Sequence, residues 1–236
     1  MNSNKFDLDV FIEGELTDLC IATEAFAYSS NWYSWFNDKN VNKYLEQGAI
    51  PNTRELQQKF FLSVANDRLP LIIVDKNKVP IGTISLSFID HVKKTCDIAL
   101  VVSNDGDRKY KPYISLEAMA LMTTHAFEML GMKRISAGQH IELKGWQNRL
   151  ELIGYKLEGI HFGKFIKGNH TSDVLSISMN LEDFDFLTKS RNGKLWDSFE
   201  FMRKRIKSMP RSSIFNEFLE FYNTTRSDYY EKLFKL

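Results

Sequence analysis

Cysteine is nearly absent. Of 236 residues only Cys20 and Cys96 carry a thiol, and their spacing makes neither a disulfide framework nor a metal cluster, so a reducing, cytoplasmic setting is expected. No His or Cys pair has metal-ligand spacing, and no metal is expected. Excess charge is missing too: 31 Lys and Arg stand against 30 Asp and Glu, which leaves no global field to draw the chain to nucleic acid or to a membrane surface. No apolar run approaches the length of a membrane span, and residues 1–10 lack the apolar stretch of a signal peptide. Repeats and low-complexity segments do not occur. What is plentiful is apolar, at 43% of the chain, enough to bury a core and to exclude disorder.

Short β-branched runs alternate with stretches of helical period over the first 180 residues, which reads as one α/β unit. Leu71–Val74 is expected as a buried strand, followed by a turn at residues 76–78 and a second strand, Ile81–Phe88. Further strands are expected at Asp97–Val102, Arg134–Gln139, Tyr155–Phe165 and Val174–Met179, the last two flanking a turn at residues 167–169. Asn52 and Glu55 have capping-box spacing ahead of a helix with the stripe Leu56, Phe60 and Val64. A second helix is expected from Ser115 to Leu130, stopped by Gly131, and a third carries the stripe Leu143, Trp146, Leu150 and Ile153, closed by Gly154. A boundary near 181 divides residues 1–181 from a helical extension, 182–236. There Leu195, Phe199, Met202 and Ile206 form one stripe, and Ile214, Phe218, Phe221 and Tyr222 another. The basic run Arg203-Lys204-Arg205 with Lys207 and Arg211 reads as a solvated helix face, because acids lie close by in sequence.

One arrangement has a mechanistic reading. Strand Asp97–Val102 feeds a polar loop, residues 103–112, into a helix N-terminus, where free N–H groups and the helix dipole suit a pyrophosphate. Together with the segments at residues 12–16, 35–46, 126–135 and 150–159, this order of elements resembles the GNAT acetyltransferase superfamily, in particular its branch of ribosomal-protein alanine and bacterial amino-sugar acetyltransferases. The resemblance implies a mixed central sheet splayed at two parallel strands, with helices on both faces. It also implies acetyl-CoA as cosubstrate, a small-molecule amine as acceptor, and no nucleic acid or membrane partner; the oligomeric state is left open.

Carried over position by position, the resemblance places the pantetheine arm against the backbone of Val101 and Val102, and the phosphates near Arg108, Lys109, Lys111, Tyr113, Ile114 and Ser115. Tyr113 and Ser115 stand where the family has small residues, Leu150 where many members have a Tyr acid, and Leu143 where they have Asn. The splayed strand ends bring His140 and Glu142 forward as candidate bases, His140 because an imidazole titrates near neutral pH, with a backbone-bonded structural histidine as its alternative. Trp32, Asn40 and Tyr44 lie in the segment that closes over the acceptor, and aromatic faces suit a sugar or nucleotide. Trp35 and Trp146 are expected in the core. The expected activity is therefore N-acyl transfer to a small molecule, possible acceptors including a nucleotide-linked amino sugar. A protein N-terminal acetyltransferase, or a non-catalytic binding module on the same fold, stays open beside it.

Overall fold

The structure is a computed structural model that describes residues 7–64, 67–104, 110–210 and 214–235. Among them run the strands β1 (Val10–Ile12), β2 (Thr17–Ile21), β3 (Arg68–Asp75), β4 (Pro80–Asp90), β5 (Thr95–Val102), β6 (Arg134–His140), β7 (Lys156–Lys167) and β8 (His170–Asn180). The helices are α1 (Glu24–Ser29), the single turns α2 (Trp32–Trp35) and α3 (Lys39–Asn42), α4 (Arg54–Val64), α5 (Lys111–Glu128), α6 (Lys144–Glu151), α7 (Leu181–Ser190), α8 (Phe199–Ser208) and α9 (Ile214–Phe234). The strands form one sheet in the order β1-β2-β3-β4-β5-β6-β8-β7. Every pairing is antiparallel except β5 with β6.

Strand β3 shows why both faces are covered. Its run Leu71-Ile72-Ile73-Val74 has no polar alternation, which marks a strand buried on both sides. Leu71 and Ile73 join the main core with α5, while Ile72 and Val74 pack with Phe26, Ala27, Trp32 and Trp35 on the opposite face. The turn after β3 is held by Asp75, whose Oδ1 accepts the N–H groups of Asn77 and Val79 at 2.9 Å each. Helices α7 and α8 close over the main core: Phe184 lies 4.8 Å from Phe127 between ring centroids, and Leu195, Trp196 and Met202 are buried in the same cluster. The expected basic face of α8 is engaged with acids, Arg203 with Glu200 at 2.8 Å and Arg205 with Asp197 at 2.6 Å; Arg211 lies outside the described residues.

Four local expectations need correction. Helix α5 starts at Lys111, four residues ahead of Ser115, because Pro112 suits a helical first turn and has no N–H to leave unbonded. The cap of α4 is Thr53, whose carbonyl and hydroxyl accept from Gln57 and Leu56; Asn52 donates instead to Asn37 and Gln57. The α4 stripe is not core: Leu56 and Phe60 are exposed, and Gln57 is the residue buried. On α9 likewise Ile214 and Phe221 face outward, and Phe215 is the fully buried side chain.

Candidate functional site

Strands β5 and β6 are joined over only three residue pairs, Thr95 with Arg134, Cys96 with Ile135 and Asp97 with Ser136. Beyond these they part. The Ser103 N–H bonds to Ile81 O on the β4 side, and the Ile141 N–H bonds to Asp173 O on the β8 side. Antiparallel pairing alternates residue by residue, so the peptide groups of Ala99 and Val101 turn to β4, and those of Ala137 and Gln139 turn to β8. The peptide groups of Leu100, Val102 and Gly138 and the N–H of His140 therefore face the gap, while the His140 carbonyl accepts the Leu143 N–H at 3.0 Å. A cavity of about 270 Å3 opens at this splay, with Leu100, Val101, Gly138, His140, Thr83 and Ser85 among its walls.

This parity divides the two expected arm-binding residues. Val102 presents its backbone to the gap; Val101 does not, and contributes its side chain to the cavity wall. Leu100 and Gly138 were passed over in the sequence, although strict alternation along each strand would have identified them once the pairing partners were known.

His140 is buried at the end of β6, edge-on to Phe165 at 4.6 Å and 4.9 Å from the Tyr44 ring. Burial pushes its pKa below the usual imidazole value, against the smaller opposing pull of Glu142. Its Nδ1 accepts the Glu142 N–H at 3.2 Å, so the proton of the neutral ring sits on Nε2. In this arrangement the ring offers a donor at Nε2 and its lone pair is engaged by backbone, the geometry of the backbone-bonded alternative. Glu142 itself stands exposed at the rim and does not line the cavity. A hydrogen bond from Tyr44, then the charge of Lys43 at 3.5 Å, hold its carboxyl below the ordinary range.

Of the expected acceptor residues, Tyr44 and Trp32 line the cavity and Asn40 does not. Asn40 is exposed, and its N–H donates to the N-cap Asp38 Oδ1 at 2.8 Å. Trp32 is a core residue as well, packed between Phe26 and Phe61 at 6.0 and 6.2 Å. Trp35 is buried in the core, as expected, whereas Trp146 is only half-buried and lines the cavity beside Leu143 and Leu150. Position 150, where many relatives of the expected family have a Tyr, is thus an apolar wall here.

At the loop following β5 the early start of α5 changes the anion site. The N–H groups of Tyr113 and Ile114 already bond to Tyr110 O at 2.9 Å each. Ser115 and Ile114 are buried, and the Ser115 hydroxyl donates to Lys111 O at 2.8 Å. The N–H groups of Tyr113 and Ile114 and the Ser115 hydroxyl are thus engaged within the first turns of α5 in this arrangement. The Tyr113 ring meets Phe199 of α8 edge-on at 4.9 Å, which is how a large side chain is accommodated where a small one was expected. Lys111 reaches back to Ser103 O at 2.7 Å. Arg108 and Lys109 lie outside the described residues.

A sheet that parts between its parallel strands, ahead of a helix N-terminus, agrees with the sequence comparison. The acetyltransferase (GNAT) domain profile matches residues 25–156, more than half of the chain. The chain belongs to the GNAT acetyltransferase family. No curated protein matches the sequence. Among solved structures, a GCN5-related N-acetyltransferase from Brucella melitensis superposes on the GNAT protein with a TM-score of 0.64 at 19% identity, covering 83% of this chain and 88% of its own. The spermidine N-acetyltransferase of Vibrio cholerae, solved with CoA and spermine, gives 0.62 at 14% identity over 72% and 99%. RimJ of Mycobacterium smegmatis, solved with CoA-disulfide, gives 0.61 at 15% identity over 74% and 88%. At these identities the likeness speaks for the fold, and the family for an acetyltransferase.

Proposed function

We propose that this GNAT protein transfers an acetyl group from acetyl-CoA to the amino group of a small molecule, a nucleotide-linked amino sugar being one acceptor of that kind. The observation that carries the reading is the splay: two strand edges with unpaired peptide groups bound a cavity into which an extended chain bearing amides fits as a further strand. Bound there, acetyl-CoA supplies the activated acyl group. Leu100 and Val102 on one edge and Gly138 on the other, with the N–H of His140, hold and orient the arm through backbone groups. A free N–H on the β5 edge stands ready to stabilise negative charge on the acyl oxygen. His140 keeps its proton on Nε2 and offers it as a hydrogen bond to the departing sulfur, the place a Tyr at position 150 would otherwise take. Among the described residues no Asp or Glu lines the cavity, so water takes the amine's proton and returns one to the departing thiolate.

Calorimetry and thermal shift with acetyl-CoA test the reading. Micromolar binding is expected, with a melting temperature that rises with ligand concentration; at a hundred times Kd the stabilisation is about 2.7 kcal/mol. Absence of both heat and shift at millimolar acetyl-CoA sinks it.

A further inference from the structure

Among the described residues, the cavity at the splay carries charge of one sign. Arg68 lines it, together with His140, which burial favours in the neutral form, and none of the described lining residues is Asp or Glu. Arg68 opens β3 and pairs with Ser87, while Pro70 pairs with Ser85 and Ile72 with Thr83. Residues two apart share a face, so Arg68 stands on the sheet face shared by Ser85 and Thr83, two of the cavity walls.

Its guanidinium makes no ion pair or side-chain hydrogen bond with a described residue; its carbon lies 5.8 Å from the centroid of Phe60, another wall. Asp97, two strands away in the same row, does not line the cavity, and its charge neighbours are Lys164 and Arg134. A half-buried guanidinium with five donors and no anion is an unfilled fork for a carboxylate or phosphate.

Arg68 is not placed to hold the phosphates of the acyl donor. By register it is level with Asp97, five residues before Val102 and the loop that leads to α5, or roughly 17 Å at the usual rise of an extended strand.

Resting on the N-acetyltransferase reading, we propose that the acceptor is an amine that also bears an anionic group, carboxylate or phosphate, and that Arg68 binds that group. The same charge disfavours a polycationic amine in this cavity. The acceptors that follow are amino acids, amino-sugar phosphates and molecules of like charge.

Matched pairs isolate the anion. Release of CoA thiol is measured with phenylalanine against phenylalaninamide, with glucosamine 6-phosphate against glucosamine, and with spermidine as the cationic comparator. The anionic member of at least one pair is expected to have a kcat/KM at least tenfold above its neutral partner, and the pair that responds tells carboxylate from phosphate. Arg68→Ala should bring the two members level, and Arg68→Lys should restore part of the difference. A second arm needs no turnover: acetyl-CoA-saturated wild-type protein titrated with inorganic phosphate and with acetate should gain thermal stability that Arg68→Ala lacks. Equal use of both members, preference for spermidine, or no anion shift in the saturated protein overturns the proposal while acetyl-CoA binding leaves the transferase reading standing. No acetyl-CoA binding removes both.

Discussion

His140 accepts the Glu142 N–H through Nδ1, and burial keeps the ring neutral, so the chemistry open to it is donation from Nε2. His140→Gln should keep turnover within a few-fold of wild type, because an amide N–H can donate in place of the imidazole N–H, while His140→Ala should lower kcat tenfold or more with acetyl-CoA affinity unchanged. A hundredfold loss in both variants, the scale of a missing general base, would restore the base role. The polar end of β6 was legible in sequence. The tautomer was not, because it is set by a backbone N–H two residues on, whose direction depends on how the chain leaves the strand. Arg68 was illegible for a related reason: a lone Arg before an apolar run reads as a strand end, and only the pairing of β3 with β4 puts it at the cavity.

Between α6 and β7 the chain turns at Gly154 with φ of +93°, and a Cβ there would lie 2.6 Å from Met179 Cε and 2.8 Å from Leu187 Cδ1. Gly154→Ala combines a left-handed backbone with these contacts, and an unfolding free-energy loss of about 1–3 kcal/mol is expected in denaturant titration. An unchanged midpoint and slope would show that Met179 and Leu187 yield freely. Helix ends marked by glycine, at Gly131 and Gly154, were readable because the local backbone demands them. The stripes on α4 and α9 misled. Apolar periodicity gives the direction of a helix face but not what covers it, and Leu56 and Phe60 line an open surface pocket with Phe36, Ile50 and Pro51 instead of the core. The start of α5 shifted because Pro112 serves a helical first turn, and the room for Tyr113 came from Phe199, some eighty residues later.

Across the molecule, Glu117 in the middle of α5 is the buried carboxylate that ties distant segments together. It accepts the N–H groups of Glu15, Leu16 and Thr17 in the turn before β2, and Glu15 in turn accepts from Trp196 Nε1 at 3.0 Å and from the Phe199 N–H at 2.6 Å. Burial pushes Glu117 up to about 7, against the pull of those three donors. A carboxyl whose folded pKa is raised favours its protonated form in the fold, so its contribution is full below about 4.5, the unfolded value, and is lost as pH rises towards 7. Relative to Glu117→Gln, wild-type protein should therefore lose roughly 3 kcal/mol of stability between pH 4.5 and 7, read from urea unfolding at each pH; a difference independent of pH would place the Glu117 pKa at its ordinary value. The sequence by itself determined the alternation of strands and helices, the glycine-marked helix ends and the family's order of elements, because these follow from local periodicity and backbone preference. Which peptide groups face the gap, which cation stands in the cavity and how the last helices brace α5 were decided by tertiary structure alone, because each depends on register and contacts between residues far apart in the chain.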